Sequence, residues 1–260
     1  MNEATAPAGA HLYHAASSYY SMIARLALTE GGVAYTSVPV DIHRRKEQFA
    51  PDYVRLNPGM TVPTLQLPDR VLTESRDILF HALGGESPAS RRWVDLQYAF
   101  PIEELTFGLF LSWNPLARRA IPRQLAAVEA LLRTLAQDHP DLAPAYLRRA
   151  EVFAGRVQAF DPDAVRSLAA TRMTEACGLL DTLEQALSDG RSFLVPQAYG
   201  PADVVWTVFL ARIHFLRRGE EIERRPAVAR YEAAMLARPS FDAADVWSRI
   251  HPWKLVRQFI

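Results

Sequence analysis

The stretch from Asn57 to Ile78 reads NPGMTVPTLQLPDRVLTESRDI, and it predicts a loop, a short strand, a turn, a second short strand and the start of a helix. Val62-Pro63 comes just before the apolar run 64–67. Because proline has no N–H to donate to a sheet, Pro63 should stand at a strand's first residue or in a tight turn. The bond before a proline is also the peptide bond at which the cis form is common. A cis bond here would turn the backbone of Val62 outward, so that its N–H and C=O could bind the peptide group of a ligand.

The pair Glu74-Ser75 lies at the other end of this stretch, where a helix is predicted to begin. A carboxylate at that place can bind an ammonium group, and the free N–H groups of a helix N-terminus can bind a carboxylate. Together the two residues could hold the α-amino acid head of a ligand beside the backbone of Val62. A second interpretation stays open, because an acid and a hydroxyl residue are also typical of an ordinary helix cap.

Length and charge narrow the class of protein. With 260 residues, 49% of them hydrophobic, the chain can form two modest domains with real cores. The 29 Lys and Arg residues equal the 29 Asp and Glu residues, so the net charge favours neither nucleic acid nor an anionic membrane as a partner. The N-terminus shows no apolar signal-peptide segment, and no run approaches the about 20 apolar residues of a spanning helix. We therefore expect a cytoplasmic protein that binds neither nucleic acid nor membrane.

The cysteine and histidine content argues against a metal site. The single cysteine, Cys177, lies in a segment of helical periodicity and can form neither an intramolecular disulfide nor a cysteine zinc cluster. We expect it to be a buried apolar side chain. His11, His14, His43 and His81 lack the spacing of a zinc site, so no metal is expected.

Strand and helix patterns alternate over the first 84 residues in the order β-α-β-α-β-β-α. This order is typical of a thioredoxin-like α/β domain, in which helices back a mixed sheet. Ser18 is predicted to cap the first helix, and Gly31-Gly32 to end it. The predicted strands are 11–14, 33–40, 63–67 and 71–73, and the predicted helices are 18–30, 51–56 and 75–83.

The remainder of the chain predicts helices throughout. The segment 84–88, GGESP, has turn composition, and we place a domain linker there. Domain 1–84 would then be followed by an all-α helical-bundle domain over 89–260. Its predicted helices are 89–111 with a break near Pro101, 122–137, 145–160, 163–188, 201–217, 227–236 and 241–250.

These landmarks together resemble the cytosolic glutathione S-transferase superfamily. The family pattern N-P-x-x-x-V-P-x-L, followed by a hairpin and then [E/D/Q]-S, matches the stretch from Asn57 to Ser75. Ser18-Tyr19-Tyr20-Ser21 is similar to the start of the family's first helix, and Gly200-Pro201-Ala202-Asp203 and Arg238–Phe241 to its C-terminal domain. The resemblance covers nearly the whole chain in the right order. It implies glutathione as co-substrate, a homodimer and a role in detoxification, with no metal.

Ser18 is the candidate catalytic residue, because a hydroxyl at a helix N-terminus can donate a hydrogen bond to a thiolate and so lower the pKa of the thiol. In the family this position is tyrosine, serine or cysteine, and serine points to theta-like and related bacterial members. Ser17 is adjacent and could serve instead, and Tyr13 and Tyr20 are further hydroxyls nearby. Ser18 could also be a helix cap and nothing more.

The resemblance also assigns the glutathione-binding residues. Glu74 and Ser75 would bind the γ-glutamyl end, and Val62 and Pro63 the cysteinyl backbone. The glycyl carboxylate is harder to place, since Thr61 stands where many members have lysine. The full expected set is Gln48, Thr61, Val62, Pro63, Glu74, Ser75 and Arg76.

The second substrate would be a small hydrophobic electrophile. Its pocket is expected between the two domains, from the loop before the first helix and the inner face of the first long helix. Aromatic side chains supply such a pocket, although they are more often core. The candidates are Tyr19, Trp93, Tyr98, Trp113 and Trp253.

The sequence therefore predicts a glutathione transferase that activates the glutathione thiolate for attack on this electrophile. Dehalogenation, ether cleavage or isomerisation would use the same thiolate. A protein that binds ligands or partners through this fold without catalysis is a further alternative. A glutathione-dependent disulfide reductase is disfavoured, because no cysteine lies near Ser18 to form a mixed disulfide.

Overall fold

The computed structural model describes residues 9–84, 86–113, 115–158, 162–196 and 198–249. These residues group into two compact units. The first unit takes its residues from Met1–Arg45, Val62–Phe100 and Ala176–Ile260, and the second from Lys46–Thr61 and Pro101–Glu175. The domain boundary expected at residues 84–89 stays a prediction.

A four-stranded mixed sheet lies in the first unit, with strand order β2-β1-β3-β4. Strand β1 pairs in parallel with β2 and antiparallel with β3, and β3 pairs antiparallel with β4. The strands are β1 (His11–His14), β2 (Thr36–Pro39), β3 (Thr64–Gln66) and β4 (Val71–Leu72). This confirms the predicted mixed sheet.

Strand β2 is shorter than the predicted range 33–40. The N–H of Val33 donates to Leu28 O at 2.9 Å, so the chain is still tied to the preceding helix there. The sheet pairing begins at Thr36, opposite His11. Because β2 is an edge strand, Pro39 is tolerated in it.

Helices α1 (Tyr19–Glu30) and α3 (Ser75–Leu83) form a layer that packs against the sheet. The shared core consists of fully buried aliphatic side chains from both layers: Leu12, Ala24, Leu28, Leu65 and Ile78. At the end of α1, a Cβ on Gly31 would lie 2.2 Å from Ala82 O. Glycine is therefore needed where these two helices approach most closely.

The first unit continues with helices α4 (Pro88–Tyr98) and α9 (Pro201–Phe215). Residues 201–213 of α9 are all buried, as expected of a helix that is apolar on every side. The unit also contains the last part of α8 (Pro162–Leu187), together with α10 (Glu220–Glu223), α11 (Pro226–Leu236) and α12 (Pro239–Ala243).

The helix predicted over 241–250 is wrong. Helix α12 ends at Ala243, and Asp245 has a φ of 49°, which is incompatible with a continuing helix. The freed carbonyls of Ala244 and Asp245 accept hydrogen bonds from the Arg25 side chain, at 2.7 Å and 2.9 Å. A distant partner therefore replaces the next helical turn.

The second unit is helical. It contains a 3₁₀ turn at Glu47–Phe49, then α2 (Pro51–Leu56), α5 (Ile102–Trp113), α6 (Pro115–Asp138), α7 (Ala143–Gln158) and the first part of α8. The predicted break near Pro101 is confirmed, since α4 ends before it and α5 begins after it. Helix α6 begins at Pro115 rather than at the predicted residue 122, so that Pro122 lies inside it.

A buried tyrosine holds the 3₁₀ turn in this unit. The hydroxyl of Tyr146 donates to Phe49 O at 2.8 Å, and both residues belong to a buried cluster with Val54 and Leu132. Across the described parts of the chain, no helix has the length and apolar character needed to cross a membrane.

Candidate active site

Ser18 lies at the N-terminus of α1 with extended backbone angles, φ −69° and ψ 126°. Its Oγ accepts a hydrogen bond from the Ser21 N–H at 3.3 Å, which confirms the predicted cap. A serine hydroxyl has two acceptor positions and one proton. Capping uses an acceptor position, so the proton stays free to be donated. The structure is therefore compatible with both roles, helix cap and thiol activator.

Ser17 has a different environment. Its Oγ lies 3.1 Å from Nε2 of His43, and its carbonyl accepts from Nη2 of Arg212 at 3.3 Å. The imidazole competes for the Ser17 hydroxyl, whereas the sole partner of the Ser18 hydroxyl among the described residues is Ser21. This difference favours Ser18 over Ser17 as a donor to a ligand.

A buried arginine that the sequence interpretation missed holds the loop before Ser18. Arg25 is 5% exposed and lies within the apolar run of α1. Its guanidinium binds this loop to the segment that follows α12. The contacts are His14 Nδ1 at 3.2 Å and the carbonyls of Ala15 at 3.4 Å, Ala16 at 3.2 Å, Ala244 at 2.7 Å and Asp245 at 2.9 Å. The available sequence signal was a charged residue on an apolar helix face.

His14 supports the same loop from β1. Its Nε2 lies 2.7 Å from Ser37 Oγ, and its Nδ1 faces the Arg25 guanidinium. Burial, and secondly the positive charge of Arg25, lower the pKa of His14 from 6.5 to about 4. The folded protein therefore keeps His14 neutral at a pH where the unfolded chain would protonate it.

This shift predicts a loss of stability in mild acid. Between pH 6.5 and about 4 the unfolded state binds a proton at His14 that the folded state does not, so the free energy of unfolding falls as the pH falls. We expect roughly 2–3 kcal/mol from this group across the window. Urea denaturation at several pH values measures it, with His14→Gln as the comparison because glutamine does not titrate. Equal pH slopes for the two proteins would contradict the prediction.

The N-terminus of α3 carries the predicted head-group residues. Glu74 is exposed, and its carboxylate has no hydrogen-bond or ion-pair partner within the described ranges. Ser75 is buried, and its Oγ lies 2.8 Å from the hydroxyl of Tyr98. Arg76, also expected to bind the ligand, pairs with Asp95 at 2.9 Å and lies 4.7 Å over the ring of Tyr98. Of these two adjacent residues, Glu74 has an exposed carboxylate, and Ser75 has a hydroxyl that is held by Tyr98.

The bond between Val62 and Pro63 is cis, and β3 begins directly after it at Thr64. The cis form that the X-Pro sequence allows is therefore present, and the strand begins one residue later than predicted. In the part of the chain that the structure describes, neither the N–H nor the C=O of Val62 has a hydrogen-bond partner. Val62 therefore presents a free peptide edge in the same unit as Glu74 and Ser75.

The other two predicted glutathione-binding residues lie in the second unit. Gln48 is buried in the 3₁₀ turn. The carbonyl of Thr61 accepts from Tyr53 Oη and, at 3.0 Å, from Asn57 Nδ2. Asn57 is itself buried and also accepts from the Gly59 N–H at 2.9 Å.

Asn57 thus holds a loop in which Met60, and not Gly59, has a positive φ of 53°. A buried methionine in this conformation is unusual. The structural role of Asn57 was not recognised from the sequence.

Three of the predicted pocket aromatics belong to the first unit. Tyr19 is buried, and its ring meets that of Tyr20 edge to face at 5.3 Å. Tyr20 in turn lies 5.9 Å from the ring of Tyr98. Trp93 packs edge to face on Trp206 at 5.8 Å. The side chain of Trp113, and Trp253 as a whole, lie outside the described residues.

Neither a metal nor a reactive thiol is evident. Among the described residues, no group of three or more His, Cys, Asp or Glu side chains could hold a metal ion. Cys177 is half-buried with its Sγ 3.7 Å from Oε2 of Glu221. Burial, followed by the negative charge of Glu221, raises the pKa of this thiol, so that it stays protonated at neutral pH.

The comparisons with known proteins agree with this geometry. Residues 17–82 match the family description "Glutathione S-transferase, N-terminal domain". The chain is 33% identical over 249 residues to the tetrachloro-p-hydroquinone reductive dehalogenase of Sphingobium chlorophenolicum, covering 90% of this chain and 95% of the relative. It is 30% identical over 240 residues to the glutathione S-transferase TCHQD of Arabidopsis thaliana, covering 88% and 87%.

A solved structure shows the same fold. A glutathione transferase family member from Pseudomonas fluorescens, solved with two glutathione bound, superposes with a TM-score of 0.63 at 20% identity, covering 94% of this chain and 95% of that one. The thioredoxin-like sheet and the helical C-terminal part therefore form a glutathione transferase fold. The chain belongs to the glutathione S-transferase family, whose members are glutathione-dependent enzymes that use glutathione as co-substrate.

Proposed function

We propose that this protein is a glutathione transferase in which Ser18 donates a hydrogen bond to the sulfur of glutathione and favours the thiolate. The observation that carries the proposal is the capping geometry of Ser18. Its oxygen accepts from Ser21, and its proton is left for a ligand at the N-terminus of α1. The helix dipole there favours a negative charge. The activated thiolate would then attack an apolar electrophile.

Other groups in the same unit as this serine suit a peptide with a free amino acid head. Glu74 offers an exposed carboxylate to an ammonium group, and Ser75 with the first N–H groups of α3 offers donors to a carboxylate. Val62 offers both polar groups of its backbone to a peptide bond. Binding of the glycyl end by Gln48 and Thr61 is part of the proposal, and Arg76 can contribute charge near the head.

Other parts of the proposal rest on the family. We infer a homodimer in the cytoplasm. The electrophile would be bound by aromatic side chains drawn from Tyr19, Trp93, Tyr98, Trp113 and Trp253. Serine at position 18 supports the further proposal that the chain is one of the serine-type, theta-like members.

Titration with glutathione tests the binding half of the proposal. Glu74→Gln is expected to raise the Kd for glutathione about tenfold, because a charge-assisted hydrogen bond to the ammonium group is lost. Asp77→Asn is the matched control, since it removes an exposed carboxylate from the first turn of the same helix. Deamino-glutathione, which lacks the ammonium group, should bind the wild type and Glu74→Gln equally. Failure of the wild type to bind glutathione would overturn the proposed function.

Reductive dehalogenation of an aromatic halide is a second candidate, favoured by the name of the 33% identical relative. In that reaction a carbon–halogen bond is replaced by a carbon–hydrogen bond, the halide leaves, and two thiols supply two electrons as they form a disulfide. The chain has one cysteine, Cys177, and its thiol faces Glu221. Both thiols would therefore come from glutathione.

The products decide between the two candidates. Incubation with tetrachloro-p-hydroquinone and glutathione should give a glutathione conjugate and halide if the enzyme only transfers the thiol. Reductive dehalogenation should give the dechlorinated hydroquinone with one oxidised glutathione for each chloride released. An active enzyme that gave neither product would act on another class of electrophile.

A further inference from the structure

The hydroxyl of Tyr98 forms a hydrogen bond with a residue of the proposed binding site. Tyr98 is the last residue of α4, and its Oη lies 2.8 Å from Oγ of Ser75, the first residue of α3. Ser75 is 5% exposed, and within the described residues its Oγ has no other partner. Tyr98 was expected to line the electrophile pocket. Its hydroxyl is hydrogen-bonded to Ser75, which is proposed to bind the γ-glutamyl head of glutathione.

The environment of Tyr98 sets the direction of this hydrogen bond. A phenol is a better donor than an aliphatic hydroxyl, and burial raises the pKa of Tyr98, so the phenol stays protonated. The guanidinium of Arg76 lies 4.7 Å over the ring and is fixed by its ion pair with Asp95 at 2.9 Å. When a phenol donates a hydrogen bond, the electron density on its oxygen and ring increases. A cation over the ring face stabilises that increase. Either hydroxyl could donate on geometry alone, and the greater acidity of a phenol favours Tyr98 as the donor and Ser75 Oγ as the acceptor.

This direction has a consequence for the ligand. When Ser75 Oγ accepts from Tyr98, its own proton is free to point away from the phenol. That proton and the free N–H groups of the first turn of α3 then act on the same anion. The hydrogen bond from Tyr98 to Ser75 Oγ also strengthens the hydrogen bond that Ser75 donates to the anion, because hydrogen bonds in a chain polarise one another.

We propose that Tyr98 is a positioning residue for the γ-glutamyl carboxylate of glutathione, acting through Ser75. The inference rests on the proposed function and extends it. Tyr98 itself does not touch the ligand in this arrangement. Its ring keeps the contacts with Tyr20 and Arg76, and its hydroxyl orients Ser75.

The test is a binding titration with two ligands. Tyr98→Phe keeps the ring and removes the hydroxyl, and we expect the Kd for glutathione to rise about fivefold, the usual effect of one hydrogen bond. The 4-aminobutyryl analogue of glutathione, which lacks the α-carboxylate, should bind the wild type and Tyr98→Phe equally. In a Ser75→Ala background, adding Tyr98→Phe should change the Kd by less than about twofold, because the two residues act in series.

Tyr231→Phe is the control for removing a buried tyrosine hydroxyl, since Tyr231 donates to Asp203 at 2.8 Å away from α3. It should leave both affinities unchanged. An unchanged glutathione Kd in Tyr98→Phe, or an equal loss of affinity for both ligands, would overturn the inference while leaving the proposed function standing. A wild type that does not bind glutathione would overturn both.

Discussion

Replacing Ser18 by alanine is expected to lower the rate of thiol transfer about 100-fold at neutral pH while changing the affinity for glutathione less than about twofold. The thiol of free cysteine has a pKa of about 8.5 and is mostly protonated at pH 7. A hydroxyl donor at a helix N-terminus lowers that pKa, and one pKa unit corresponds to a tenfold change in thiolate. Removing the donor therefore lowers the amount of thiolate, whereas the head group and peptide contacts of the ligand remain.

Ser18→Gly separates the helix cap that the structure shows at Ser18 from the thiol activation that we propose for it. Glycine caps a helix with a loss of only a few tenths of a kcal/mol relative to serine, whereas alanine loses about 1 kcal/mol. If Ser18 is the thiol activator, Ser18→Gly and Ser18→Ala should lose activity equally although their stabilities differ. The ultraviolet absorbance of bound thiolate, followed against pH, should give a higher pKa for both variants.

Ser17→Ala is the matched control for a neighbouring hydroxyl. Because Ser17 Oγ already lies 3.1 Å from His43 Nε2, we expect its removal to change the rate less than about threefold. A large loss in Ser17→Ala with a normal rate in Ser18→Gly would assign the donor to Ser17. Loss of glutathione binding in Ser18→Gly would show that the residue is needed for the site to form.

The strands and most helices could be predicted because they depend on neighbours along the chain. The short run 11–14 predicts β1, and the proline at position 63 lies directly before β3. The cap at Ser18 is a local motif as well. Local signals fail where a distant group replaces them. The segment after α12 reads as helix, but its carbonyls bind Arg25, which is 219 residues away in the chain for Ala244.

The candidate site was predictable to a similar extent. Ser18, Val62 and Glu74 could be proposed from the sequence because a serine cap, an X-Pro bond and an acid at a helix start each have a local signature. The Tyr98 contact had no such signature, since an aromatic residue in a helix looks the same whether it fills a core or orients a ligand-binding group. The role of the Arg25 side chain was missed for a related reason. A charged residue in an apolar helix does not indicate which distant groups it will bind.

Asp203 is expected to contribute strongly to the stability of the fold. It is fully buried at the start of α9. Its Oδ1 accepts from the Leu194 N–H at 3.0 Å and from Tyr231 Oη at 2.8 Å, and its Oδ2 accepts from the Gly200 N–H at 3.0 Å. Glycine at the cap has no hydroxyl, so Asp203 alone supplies the side-chain half of the capping box.

Asp203→Ala would take the acceptor away from these three donors, of which those of Leu194 and Tyr231 are buried and that of Gly200 is partly buried. An unsatisfied buried donor costs about 1–3 kcal/mol, so we expect the free energy of unfolding to fall by about 3–5 kcal/mol. Asp203→Asn keeps one acceptor oxygen but places an amide N–H₂ against the Gly200 N–H, so its loss should be about half as large. The urea midpoint of the three proteins measures the series.

Tyr231→Phe and Asp203→Ala form a cycle with their double mutant, because the two side chains share one hydrogen bond. The double mutant should be less destabilised than the sum of the single variants, since each single change already removes that bond.

Helix α9 packs against α1, which Ser18 caps, so a weakened α9 should lower activity through loss of folded protein. The activity per folded molecule of Asp203→Asn at low temperature should therefore equal that of the wild type. A stable Asp203→Ala protein, with a urea midpoint near that of the wild type, would show that water or a rearranged backbone satisfies the three donors.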